Sequence, residues 1–260
     1  MKQRIITALI AIPAVLWLVV WSPYYVFGFV CAVAAALTAS EYFAFRGHRG
    51  MFSLLGIFLF VFILSFSVHL AFAVFVLLAF SAIGLRLLRG DDLENYLSTS
   101  AQYGFAFLYF GLGYGAMILI RAEGYELLLA MMLAVWAADT FAYFGGKLLG
   151  KHPMSPAISP NKTWEGFAFG VAGATIVYAV TLAFYPVSFA VHPAFIGLAV
   201  GLVSIVGDLV ESALKRSAGV KDSGTIIAGH GGIFDRMDSM VYVAPLYLVV
   251  LYTLLHLGAV

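Results

Sequence analysis

Charge is what this sequence has least of. Asp, Glu, Lys and Arg make up 10% of its 260 residues, against about 25% in ordinary soluble domains. That shortage excludes a water-soluble globular protein. A hydrophobic content of 63% excludes a disordered one. Cysteine is nearly missing too: Cys31 is alone, cannot form an internal disulfide, and reads as a small packing residue in an apolar run. The net charge of +1 gives no global attraction to nucleic acid, so none is expected as a partner. Glycine and proline follow no collagen-like period, and no internal repeat of the inverted-transporter kind is visible. What remains, with a mean hydropathy of +1.01, is an all-α, polytopic helical bundle in a membrane.

A spanning helix needs about 20 mostly apolar residues. Segments near 5–21, 24–45, 51–67, 69–88, 103–120, 125–145, 164–185, 194–212 and 239–258 meet or approach this, giving an expectation of nine spans in a single transmembrane domain. Met1-Lys2-Gln3-Arg4 and the apolar run after it resemble a signal peptide, but without a convincing cleavage site the run reads as a retained first span. With the N-terminus in the cytoplasm, Lys2, Arg4, Arg46, Arg49, Arg86, Arg89, Lys147, Lys151, Lys162, Lys215, Arg216, Lys221 and Arg236 share the cytoplasmic face. Arg121 alone lies opposite, a split of 13 to 1. The C-terminus then faces outward, and the polar intervals 86–102, 146–163 and 213–238 all face the cytoplasm.

Acids inside apolar runs cost about 2.5–3.5 kcal/mol each at the bilayer centre, which makes them functional candidates. Glu41, Asp139, Asp208 and Glu211 are such residues. A structural ion pair or an interfacial position is an equally open reading for Glu41, which lies close to Arg46. Helical spacing puts Asp208, Glu211, Ser212 and Lys215 on one face. Lys221-Asp222-Ser-Gly224, Gly229-His230-Gly231-Gly232 and Asp235-Arg236-Met-Asp238 follow, the last pair of acids sharing a face at i, i+3. Hard divalent cations take oxygen ligands, basic side chains neutralise phosphate, and glycines let backbone amides approach it. Concentrated in residues 208–238, these features point to a metal-assisted phosphate or nucleotide site at the cytoplasmic surface. Upstream, Asp139-Thr140 ends the sixth span, and Ser159-Pro-Asn-Lys162-Thr163-Trp-Glu165 leads into the seventh. There Thr163 can cap the helix, while Ser159 and Lys162 before its N-terminus can equally bind a phosphate. His230 reads as a turn or outer residue rather than a direct metal ligand.

These residues resemble the signature of the phosphatidate cytidylyltransferases, the CDP-diacylglycerol synthases. The resemblance is carried by Ser212, Leu214, Lys215, Arg216, Lys221, Asp222, Gly224, Ile227, His230, Gly231, Gly232, Ile233, Asp235, Arg236 and Asp238; Ala228 departs from the family's Pro or Gly. In detail it covers about 135–240, leaving 1–120 mostly as scaffold. It implies CTP and phosphatidate as substrates, Mg²⁺ as cofactor, and a homodimer in a bacterial inner membrane with the active site facing the cytoplasm. It also suggests a paired-cation site in which K⁺ accompanies Mg²⁺. By position, Asp208, Asp235 and Asp238 carry over as metal ligands, with Lys221 and Asp222 beside them as catalytic residues. Lys162, Ser159, Ser212, Lys215, Arg216, His230, Gly231, Gly232, Arg236 and Asp139 form the expected substrate-contacting set, and Glu211 a reserve ligand. On this reading Asp235→Asn abolishes turnover and leaves the protein folded. The rivals are a CTP-dependent polyprenol or lipid kinase and, from another class, an ion-coupled transporter using Asp139 and Asp208.

Overall fold

Helices begin and end where local chemistry tells them to. The computed structural model describes residues 2–47, 50–88, 93–187, 189, 191–224, 226 and 231–257. In order these form α1 (Lys2–Val20), α2 (Tyr24–Phe45), α3 (Met51–Ile63), α4 (Val68–Leu88) and α5 (Leu93–Ala106), which runs through a π-helical turn, Phe107–Gly111, into α6 (Leu112–Glu123). Then come α7 (Tyr125–Leu149), a hairpin of β1 (Pro153–Ser155) and β2 (Ser159–Thr163), α8 (Trp164–Ala183), α9 (Pro193–Ser217) and α10 (Phe234–Leu257). Thr163 caps α8 through Oγ1, which accepts from Gly166 N at 3.2 Å. Pro193 opens α9 at a position where its missing N–H has no intrahelical partner to lose, and His192 Nδ1 accepts from Ala194 N.

Among the described residues, six helices are long and apolar enough to cross a membrane: Tyr24–Phe45, Glu94–Glu123, Tyr125–Leu149, Trp164–Ala183, Pro193–Ser217 and Phe234–Leu254. Three of the nine expected spans correspond, among the described residues, to shorter apolar stretches, Leu9–Val20, Met51–Ile63 and Val68–Leu78. Length sets α3 apart: at 1.5 Å per residue its 13 residues reach only about 20 Å, short of a hydrocarbon core of about 30 Å, whereas α1 and α4 are helices of 19 and 21 residues. The polar interval 86–102 is helical from Leu93 onward, and 146–163 contains the hairpin, which an all-helical expectation lacked.

The chain divides into two compact units, each discontinuous in sequence. One takes Met1–Leu119 and Asp222–Asp235; the other takes Ile120–Lys221 and Arg236–Val260. In the first, α2 packs on α3 and on the π-helical turn around an aromatic core that includes Tyr42, Phe43, Phe107 and Phe110. Thr38 Oγ1 and Tyr114 OH, both buried, share a hydrogen bond of 2.7 Å. Phe234, fully buried, sets its ring edge-on to Phe110 at 5.2 Å and joins the segment 222–235 to this core.

In the second unit α7, α8 and α9 pack closely because small residues line their seams. A Cβ on Gly170 would stand 2.9 Å from the Ala138 carbonyl oxygen, and one on Gly201 would stand 3.1 Å from Val171 Cα. Between α9 and α10, a Cβ on Gly207 would meet Tyr242 Cβ at 2.8 Å and Ser239 Cα at 3.2 Å. Ser239 Oγ donates to the Ser204 carbonyl at 3.1 Å across the same seam. The neighbours of this contact in the chain are Asp208 and Asp238, so the glycine is what brings the two acids together.

Candidate active site

Asp208, Glu211 and Asp238 form one cluster. A carboxylate oxygen from each lies within 4.8 Å of the other two. The i, i+3 spacing of Asp208 and Glu211 on α9 supplies two, and the close approach of α10 supplies the third. Two ammonium groups answer three carboxylates. Lys162, delivered by β2, has Nζ 2.7 Å from Asp208 Oδ2, and Lys215 has Nζ 2.7 Å from Glu211 Oε1 at i, i+4. The Lys215–Glu211 pair is buried, at 9% and 1% exposure, so its charges are held at fixed positions away from water. Ser212 Oγ stands 3.5 Å from Asp208 Oδ1, too long to contribute much.

The cluster borders a cavity of about 530 Å³, within the usual size range of small-molecule sites. Asp139, Lys147, Asn161, Lys162 and Asp208 give it charged and polar walls; Tyr143, Met154, Phe167 and Ile205 give it apolar ones. Asp139, exposed and lining this space, has no ion pair or hydrogen bond among the described residues. The hairpin that carries Lys162 is tied at its base. Glu165 accepts from Lys151 N at 3.1 Å, from His152 N at 3.3 Å and bonds His152 Nδ1 at 2.5 Å, while Trp164 N donates to the His152 carbonyl. Near its tip, Arg216 Nε reaches the Ile158 carbonyl at 3.4 Å and Nη1 donates to the Val220 carbonyl at 2.9 Å. Arg216, expected to bind phosphate, is thus bonded to the main chain. Ser159 lies in β2 paired with Ser155 and does not line the cavity.

The first unit holds a second polar constellation. Asp235, expected beside Asp208 and Asp238, accepts instead from Ser223 N (3.2 and 3.0 Å to its two oxygens) and from Gly232 N at 2.8 Å. From the first turn of α10 its carboxylate turns back to the segment before the helix, whose amides it meets. Glu41, 4% exposed, accepts from Ser223 Oγ, Ile233 N and Phe234 N, each at 2.9 Å. Gly231 has φ +82°, a conformation that L side chains rarely adopt. Lys221, Asp222 and Arg236 are exposed, and Ser212 half-buried. His230 lies outside the described residues. Glu211 as the third member of the cluster was legible only as a reserve; of the other cavity residues, Tyr143 and Asn161 stand in stretches that resemble the family, and Phe167 carried no signal in the sequence.

Such an arrangement can hold a hard cation beside a pocket with two lysines, which is what a membrane enzyme handling phosphate esters requires. The chain belongs to the cytidylyltransferase family, whose model matches residues 2–254. It is similar to a phosphatidate cytidylyltransferase of Staphylococcus haemolyticus, 42% identical over 175 residues, covering 66% of this chain and 64% of that protein. A protein of the same name from Staphylococcus saprophyticus is 40% identical over 173 residues, covering 66% and 64%. One from Staphylococcus aureus is 46% identical over 139 residues, covering 53% and 54%. The chain thus spans somewhat less than two thirds of the length of these relatives, at 64% for the first two.

Proposed function

We propose that this protein transfers the cytidylyl group of CTP to phosphatidate, giving CDP-diacylglycerol and pyrophosphate. The observation that carries the reading is the three-carboxylate cluster with Lys162 at the wall of the cavity, in a chain whose relatives bear that name. A phosphate oxygen of phosphatidate attacks the α-phosphorus of CTP in line. The bond from the α-phosphorus to the bridging oxygen breaks, and pyrophosphate leaves with that electron pair. The second pKa of a phosphomonoester is about 6, so the nucleophile is largely ionised at neutral pH and needs no strong general base. Catalysis becomes positioning and charge neutralisation.

The donor set fits Mg²⁺: three oxygens, hard ligands, close enough to share one ion. Asp208, Glu211 and Asp238 would hold it, and when bound it supplies positive charge against the phosphate oxygens. K⁺ as a second cation rests on the family resemblance alone. Lys162 and Lys147 face the substrate phosphates from the cavity wall, and Lys215 orients Glu211 through their ion pair. Lys221 and Arg236, both exposed, add positive charge for the phosphates, and Asp235 shapes the segment that carries Gly231 and Gly232. Orientation follows from the 13-to-1 distribution of basic residues: N-terminus and active site on the cytoplasmic face of a bacterial inner membrane, C-terminus outside, with the short apolar helices completing nine spans. A homodimer rests on the resemblance.

The test is a reaction of purified protein with labelled CTP, with and without phosphatidate and Mg²⁺. Formation of CDP-lipid and pyrophosphate, dependent on both, supports the reading. Release of CDP with a newly phosphorylated lipid would replace it with the kinase, and cation-dependent uptake into vesicles without CTP consumption would replace it with the transporter.

A further inference from the structure

The buried carboxylate of Glu41 does no evident work in the cluster of the second unit, yet its three donors are all parts of one short segment. We infer that Glu41 is a positioning residue for the signature loop: from α2 it holds Ser223, Ile233 and Phe234 in place, and with them the position from which Gly231 meets a substrate phosphate. The inference rests on the cytidylyltransferase reading above.

The argument begins with solvation. A carboxylate at 4% exposure is stable only if its charge is met by donors or a cation. Here Ser223 Oγ and Ile233 N and Phe234 N meet it, each at 2.9 Å. Those two amides belong to the start of α10, where N–H groups lack intrahelical partners and the helix dipole favours negative charge. One side chain therefore binds both ends of the loop, through Ser223 at its start and Ile233 and Phe234 at its finish. A second observation agrees. A Cβ on Gly232 would collide with Ser223 Oγ and Glu41 Oε2, and one on Gly224 would stand 2.9 Å from Glu41 Oε1. Both signature glycines are thus required by the closeness of Glu41. Asp235 closes the same loop from inside by accepting from Ser223 N and Gly232 N, so five backbone or hydroxyl donors of the loop are pinned by two carboxylates. Gln at position 41 would keep the shape, lose the charge, and turn an N–H₂ toward donors that it cannot accept from.

The experiment compares wild type, Glu41→Gln and Ser223→Ala, purified in the same detergent, by hydrogen exchange and by steady-state formation of CDP-lipid. If wild type forms no CDP-lipid, the underlying reading fails before the variants matter. If it does, Glu41→Gln should exchange amides in 222–235 about tenfold faster with the remaining helices unchanged. It should also raise KM for CTP about tenfold or more, a misplacement effect, at an unchanged yield of folded protein. A purely structural Glu41 would lower yield or melting temperature with KM for CTP unmoved, and that outcome overturns the inference. So does faster exchange without a kinetic change. Should Glu41→Gln fail to fold, Ser223→Ala removes one donor while keeping the two amide bonds. It should move exchange and KM in the same direction by a smaller factor, and wild-type behaviour there overturns the inference.

Discussion

Replacing Gly207 by Ala tests whether the approach of α9 to α10 builds the cluster. The added methyl carbon would stand 2.8 Å from Tyr242 Cβ and 3.2 Å from Ser239 Cα. Carbon atoms rest about 3.5–4.0 Å apart, so the seam must open by roughly 0.7–1.2 Å against atoms that no rotamer change can move. Overpacking of this kind costs about 1–3 kcal/mol, and a misplacement near 1 Å at a reacting centre costs about 10²-fold in rate. Because Asp208 follows Gly207 directly and Asp238 precedes Ser239, the opening falls on the cluster itself. Gly207→Ala should therefore lower kcat/KM by about one to two orders of magnitude and raise the Mg²⁺ concentration for half-maximal activity by a similar factor. Gly197→Ala is the control: its Cβ would meet Tyr178 Cβ at 2.8 Å and Thr175 Cα at 3.0 Å, an equal clash about three turns from Asp208. It should destabilise comparably while leaving the Mg²⁺ dependence near wild type. Equal Mg²⁺ dependence in the two variants would refute the reasoning, since the effect would then be one of stability and not of ligand geometry.

Three further outcomes follow from the site. Mg²⁺ at 100 times its dissociation constant should stabilise the wild type by about 2.7 kcal/mol, read as a higher melting midpoint; Asp238→Asn should lose both that rise and turnover while remaining folded. Lys162→Ala, which leaves Asp208 without the ammonium now 2.7 Å away, should cut kcat/KM by about two orders of magnitude, measured against radiolabelled CTP. Asp235→Asn should also suppress turnover, but by loosening the segment 222–235, so that its amides exchange faster while the Mg²⁺-induced stabilisation persists. Loss of that stabilisation instead would make Asp235 a metal ligand.

The helices and the acids were legible because each has a local signature: an apolar run for a helix, a carboxylate interrupting it for a candidate site. The cap at Thr163 was legible for the same reason, since its partner lies three residues away. The hairpin was not, because its strands are three and five residues long and carry Pro153 and Pro160, which read as loop. Glu41 shows the limit most clearly. Its donors lie 182, 192 and 193 residues along the chain, and no spacing rule joins them to it. Its closeness to Arg46 in sequence invited an ion pair, but the chain folds a distant loop onto it. Asp235 is the expected third ligand because the family resemblance supplies it by position, whereas Glu211 meets Asp208 and Asp238 only through the packing of α10 on α9.

In a chain this poor in charge, the way each acid is answered separates structure from chemistry. An ionised carboxylate in an apolar setting costs several kcal/mol unless donors or cations surround it. Glu41 and Asp235 are answered by backbone amides and a serine, which cannot leave. Asp208 and Glu211 are answered by Lys162 and Lys215. Two acids are left over. Asp238 has the amide of Ser239 at 2.6 Å but no ion pair among the described residues, and Asp139 has neither. Both belong to the surroundings of Asp208, one through the cluster and one through the cavity. A divalent cation held as proposed would therefore gain most from Asp238 and Asp139. It follows that Asp139→Asn should weaken Mg²⁺-dependent stabilisation measurably, though less than Asp238→Asn, because Asp139 adds field without belonging to the cluster. Thermal melts over a Mg²⁺ titration would show the order, and a titration curve for Asp139→Asn that overlays the wild type would refute the assignment of this unpaired acid to cation binding.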